Sequence, residues 1–270
     1  MPAAARTWNI ETKSPAGDFT AYMPWSSPGA SPVVDPCGVA SGFGSGAPKY
    51  VHAPKGYKVG DLGSAVLKPL PGNKTIVKAG GTLEAAFGFQ VNHGGGYQYR
   101  LCPSNSNAKL TEECFQMHPL DFATANHTIR WVDGSKKEIV IPAMTITEGT
   151  TPKGSEWRRI PFPACNCDLG ESCYYKEGDD AVEEVEKKKG GAESAYEQQP
   201  NAPKRCPTGT QFPVPAEDLY GYGDVPPVLV VDTLKVPAHF EEGDYVLSWR
   251  WDCEQTPQIW NTCADVTVAR

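Results

Sequence analysis

The clearest alternation of apolar and polar positions lies near the end of the chain. In Tyr245-Val246-Leu247-Ser248-Trp249-Arg250-Trp251-Asp252-Cys253, the odd-numbered residues Tyr245, Leu247, Trp249, Trp251 and Cys253 share one face of an extended segment, because successive side chains of a strand point to opposite sides. Residues 82–89 repeat the pattern, with Leu83, Ala85, Phe87 and Phe89 alternating with Thr82, Glu84, Ala86 and Gly88. In residues 97–102 the tyrosines and Leu101 oppose Gln98 and Arg100. Residues 228–231 and 263–268 read as further strands, and Trp131-Val132 with 138–141 as a hairpin around Asp133-Gly134. Residues 110–115 predict one short helical turn.

The first eighty residues lack sustained periodicity. Runs such as Pro24-Trp25-Ser26-Ser27-Pro28-Gly29 and Gly42-Phe43-Gly44-Ser45-Gly46 block both helix and regular ladder, so a wrapping loop with two strands, pinned by Cys37, is expected. An acidic-then-basic run poor in large apolar residues predicts a flexible charged insertion around 176–204. With 27 Gly and 25 Pro in 270 residues, the composition suits short strands joined by turns. An all-β fold forming one domain over 1–270 follows as the expectation.

A net charge of −7 removes the electrostatic basis for non-specific nucleic-acid binding, which needs a basic face. No apolar run approaches the roughly 18 residues that cross a bilayer, so neither nucleic acid nor membrane is an expected partner. The nine cysteines form no paired CxxC arrangement: Cys165-Asn166-Cys167 is too tight, and Cys173 and Cys206 stand alone. They read as disulfides, with an oxidising, extracellular location. The sequons Asn73-Lys74-Thr75 and Asn126-His127-Thr128 agree with a secreted glycoprotein. The odd cysteine count leaves one thiol over, and residues 1–8 lack the apolar core of a signal peptide; the mature protein is therefore expected to begin upstream of Met1.

Five histidines could carry chemistry: His52, His93, His118, His127 and His239. No HxH, HxxxH or HExxH pair occurs among them, nor a Gly-x-Ser-x-Gly elbow. Gly94-Gly95-Gly96 lacks the lysine and helix of a phosphate loop and reads as a flexible turn beside His93. Asp252 with Glu254 is a carboxylate pair of the kind a glycosidase uses, an unspecific signal. On residues alone, the reading stops at a secreted β-rich protein with aromatic and histidine residues near loop ends.

Val91-Asn92-His93-Gly94-Gly95-Gly96-Tyr97-Gln98-Tyr99-Arg100-Leu101-Cys102-Pro103 resembles the chitin-binding type-4 group of lytic polysaccharide monooxygenases, in the form associated with oomycetes, algae and invertebrates. Further matches follow in order: Pro28-Gly29-Ala30-Ser31-Pro32-Val33-Val34-Asp35-Pro36-Cys37-Gly38, residues 110–116, residues 243–260, and Cys263-Ala264-Asp265-Val266. The resemblance implies an immunoglobulin- or fibronectin-III-like β-sandwich holding one copper ion in a histidine brace. His93 matches the second brace histidine, and the N-terminal one would lie a few residues upstream of Met1. Trp260 stands where relatives carry an axial Tyr or Phe, with Gln258, and more weakly Glu254, as groups positioning the oxidant.

Trp25, Tyr22, Tyr50 and Tyr97 are candidates to stack on sugar rings, while Trp249 and Trp251 belong to a core face. The expected disulfides are Cys102 with Cys114 and Cys253 with Cys263. The implied activity is oxidative cleavage of chitin, cellulose or a similar insoluble β-linked polysaccharide by a monomer. A non-catalytic polysaccharide-binding or structural module is the alternative, and the residue at the processed N-terminus separates the two.

Overall fold

The computed structural model describes residues 8–11, 24–40, 53, 55–68, 74–88, 92–104, 110–165, 206, 209–221, 226–255 and 258–270, with backbone alone at 8–11. The described chain is mostly β. Its strands are β1 (Trp8–Glu11), β2 (Thr75–Lys78), β3 (Thr82–Phe87), β4 (Gly96–Pro103), β5 (Asn126–Trp131), β6 (Glu138–Pro142), β7 (Thr145–Ile146), β8 (Trp157–Arg159), β9 (Val228–Lys235), β10 (Gly243–Asp252) and β11 (Gln258–Ala269). Two short helices accompany them, α1 (Gly63–Val66) and α2 (Glu112–Met117). A 7-stranded sheet runs β1-β11-β10-β4-β8-β7, with β2 parallel to β11, and a 4-stranded sheet runs β3-β9-β5-β6. No described helix is long and apolar enough to cross a membrane.

The apolar faces anticipated from alternation meet in one core drawn from both sheets, including Leu83, Phe87, Tyr97, Leu101, Leu247 and Trp249. Trp249 and Trp251 are 5% and 3% exposed. The register places Trp249 between Tyr99 of β4 and Thr262 of β11. β11 begins at Gln258 rather than at 263, because the chain turns after β10 and resumes the ladder at once, with Trp260 opposite Trp251. β7 and β8, of 2 and 3 residues, are too short to leave a periodic signal. The helical turn expected over 110–115 is α2, capped by Thr111, whose Oγ1 accepts from the Cys114 N–H at 3.3 Å.

The outer face of β4 and β10 is buried as well, which alternation did not foretell. The segment 24–40 and α2 lie over it. There Arg250 donates to Asp252 at 2.7 Å, to Glu112 at 3.0 Å and to the Ser31 carbonyl at 2.8 Å. Arg100 reaches Glu112 at 2.5 Å, and the Gly29 N–H donates to Asp252 at 2.8 Å. A small second cluster of Cys37, Cys102, Phe115, Val246 and Cys263 closes this layer.

Disulfides join Cys37 to Cys263, Cys102 to Cys114 and Cys165 to Cys206. The Cys102–Cys114 bond is the one expected. Cys253 with Cys263 is corrected: Cys263 stands opposite Ser248 in the β10–β11 ladder, so Cys253, at the turn, is ~17 Å further along the strand. Cys253 is instead a buried residue of the main core that forms no disulfide with any described cysteine. The charged insertion around 176–204 lies outside the described residues, as do Cys167 and Cys173.

Candidate functional site

His93 sits where the chain enters β4, beside the turn that joins β10 to β11. Its place is set by backbone. The His93 carbonyl accepts from the N–H groups of Glu254 at 3.2 Å and Gln255 at 3.0 Å. Asn92 fixes the preceding residue by donating to the Phe162 carbonyl and accepting from the Gly94 N–H, both at 2.9 Å. The Trp251 indole donates to the Gly94 carbonyl at 2.8 Å.

The three glycines are a fixed structural requirement here and not the flexible turn anticipated. Gly95 has φ +77, and a Cβ on it would fall 2.1 Å from the Asp252 carbonyl oxygen. One on Gly96 would fall 2.4 Å from the Trp25 ring. Only residues without side chains let the β4 entry pass this close to β10 and to Trp25.

The His93 imidazole is stacked on Trp251, ring centroids 6.0 Å apart, and is 5% exposed. Burial lowers its pKa from 6.5 to about 4, so the ring is neutral at physiological pH. Trp260 stacks in turn on Trp251 at 6.3 Å, and its indole donates to Gln258 at 3.3 Å. The ring next to His93 is thus that of Trp251, which the strand alternation assigned to core packing alone. Trp260 and Gln258 are brought to the same end of β11, one ring further away.

Beside the turn, the Glu254 carboxylate accepts from the Gly95 N–H at 3.2 Å and from Arg159 at 2.7 Å. Gln211 approaches Arg159 at 3.5 Å, and the Arg159 guanidinium lies 5.2 Å from the Phe212 ring. Arg159, Gln211 and Phe212 were not singled out from sequence. β8 is too short to read, and no motif marks 211–212.

Of the four aromatic candidates, Trp25 is half-buried against Gly96, with its main-chain N–H donating to the Cys253 carbonyl at 3.1 Å. Tyr22 and Tyr50 lie outside the described residues. Tyr97 is corrected. It is 0% exposed, its hydroxyl donates to Asp232 at 2.6 Å, and His127 lies 3.1 Å away. The alternation that puts Tyr97 on the face of Tyr99 and Leu101 also puts it in the core, where no sugar can reach it.

The remaining histidines are elsewhere. His127 is buried beside Asp232, His52 lies outside the described residues, and His118 and His239 line a cavity of ≈ 640 Å³ at the opposite end of β4 and β10. Among the described residues no group of three or more His, Cys, Asp or Glu could hold a metal ion. Comparison of the chain with protein-family models and with curated proteins gives no match.

Proposed function

We propose that the chain is a secreted, copper-dependent polysaccharide monooxygenase built as a single immunoglobulin- or fibronectin-III-like β-sandwich domain, acting on chitin or a similar insoluble β-linked polysaccharide. The observation that carries this reading is His93, a neutral imidazole whose main chain is clamped at the β4 entry. Neutral nitrogen donors suit copper. His93 would supply one of them, and the resemblance assigns the others to a histidine ahead of Met1. Copper, when bound, would supply the one-electron chemistry that removes a hydrogen atom from a glycosidic carbon.

The chain's own residues do the positioning. Trp251 stacks beside the imidazole, ring centroids 6.0 Å apart. Glu254, held by Arg159, ties down Gly95 two residues from the donor, which is how partners behind a ligand orient it. Trp25 and Phe212, both half-buried, are the rings beside this turn that could meet a pyranose face. The disulfides support an oxidising, extracellular setting.

A second reading, a non-catalytic polysaccharide-binding module, is favoured by the low exposure of His93, 5%. Titration of the mature native protein with Cu(II) separates the two. One tightly bound ion with a type 2 spectrum, lost in His93→Ala, is the expected result. Mature protein that begins with histidine, adheres to chitin and binds no copper would leave the binding module standing.

A further inference from the structure

We propose that Asn126 carries an N-linked glycan, and that this glycan covers the apolar part of the β5–β6 edge. The proposal rests on the extracellular location above and not on the copper site. The sequon Asn126-His127-Thr128 occupies the first three positions of β5. His127 is turned inward, 1% exposed and 3.1 Å from Asp232, so the alternation of the strand places Asn126 and Thr128 together on the outward face. Asn126 is exposed. Its main chain is fixed by pairing with Pro142 and by Arg158, which donates to its carbonyl at 3.2 Å.

What surrounds Asn126 is a second, independent observation. β6 is the edge strand of the 4-stranded sheet, and Thr128 stands opposite Val140, which is 66% exposed. Met144, just beyond β6, is 51% exposed. Farther along the same outward face Arg130 pairs with both Glu84 and Glu138, so charge guards that half of the edge. The half around Pro142, Val140 and Met144 exposes these apolar groups beside the uncharged Asn126 and Thr128. An apolar edge strand invites pairing with another molecule unless something covers it. A sugar on Asn126, directly across from Pro142, is placed to do so, because the C–H face of a pyranose packs on aliphatic groups while its hydroxyls stay in water.

The attachment needs only what the secretory compartment supplies, a polyisoprenyl-pyrophosphate-linked oligosaccharide. The bond from Asn126 Nδ2 to the anomeric carbon forms as the bond from that carbon to the pyrophosphate oxygen breaks. The amide gives up one proton, and nothing is oxidised or reduced. The transfer takes place on the extended chain; folding then carries the glycan outward with Asn126, so the sheet does not oppose it.

The test uses the full chain secreted from a eukaryotic cell through an appended leader, with glycopeptide mapping by mass spectrometry. The expected result is a glycan on the peptide holding Asn126, retained in Thr128→Ser and lost in Thr128→Ala. Enzymatic removal of the glycan from the folded protein should produce oligomers by light scattering, and Val140→Ser should return the stripped protein to monomer. A bare Asn126 in secreted, disulfide-bonded protein overturns the proposal. Stripped protein as monodisperse as the glycosylated form overturns the covering role. Because the leader forces entry into the secretory compartment, neither failure bears on where the native protein resides or on whether it binds copper.

Discussion

The two faces of the β4–β10 ribbon are both buried, yet they are held by opposite means. On the inner face Tyr97, Tyr99, Leu101, Leu247 and Trp249 pack into the shared core. On the outer face Arg100, Arg250 and Asp252 are 1%, 0% and 0% exposed beneath segment 24–40 and α2. The inner face gains from area removed from water and tolerates imperfect contacts. The outer face has taken charges out of water, so it persists only while each is paired. An apolar face degrades by degrees; a buried ionic one fails when a single partner goes.

That contrast can be tested at both faces. The largest effect is expected from Asp252→Ala, which takes from Arg250 a carboxylate at 2.7 Å and from Gly29 its acceptor. A loss of about 3–5 kcal/mol in chemical denaturation is expected, the range for breaking a buried ion pair. Leu247→Ala on the inner face, 2% exposed, should cost about 3 kcal/mol in the same assay. A loss for Asp252→Ala well below that of Leu247→Ala would break the comparison.

Glu112 sharpens it through pH. Burial alone would raise its carboxyl, but Arg100 and Arg250 hold it below the usual 4.5. Its stabilisation is therefore complete above that value and is lost as pH falls through the lower folded-state value. Glu112→Gln should reduce stability at neutral pH by about 1–3 kcal/mol and flatten the acid limb of a plot of unfolding free energy against pH. An acid limb as steep in the variant as in the native chain would show that the pairing with Arg100 and Arg250 contributes nothing.

The smallest effect belongs to the rim. The Arg159–Glu254 pair has side chains 20% and 28% exposed, so Glu254→Gln should cost less than about 1 kcal/mol of stability. On the proposed copper reading its signature should appear instead as weaker Cu(II) binding, because the Gly95 N–H, two residues from His93, loses a charged acceptor. Unchanged copper affinity in this variant would remove Glu254 from the positioning of His93.

The same division explains what could be read in the sequence. Period-two alternation located β3, β4 and β10, because their inner faces are apolar. It passed over the outer layer, where Arg100, Arg250 and Asp252 look like solvent-facing residues until α2 and segment 24–40, the latter more than two hundred positions from Arg250 and Asp252, cover them. His93 is singled out by its motif alone, and Trp251 reads only as core, since stacking on an imidazole depends on the β10–β11 register. Tyr97 is not a sugar contact because the face it shares with Tyr99 and Leu101 in β4 is the buried one. The Cys253–Cys263 guess failed because nearness along the chain is not nearness across a ladder.

The Cys37–Cys263 bond spans a sequence separation of 226, and its consequence is topological. It closes residues 37–263 into one covalent ring. A protease acting once anywhere between those residues opens the ring without liberating a fragment, and a cut between 166 and 205 is bridged a second time by Cys165–Cys206. A molecule nicked in this way would still migrate as one species until a reductant arrives.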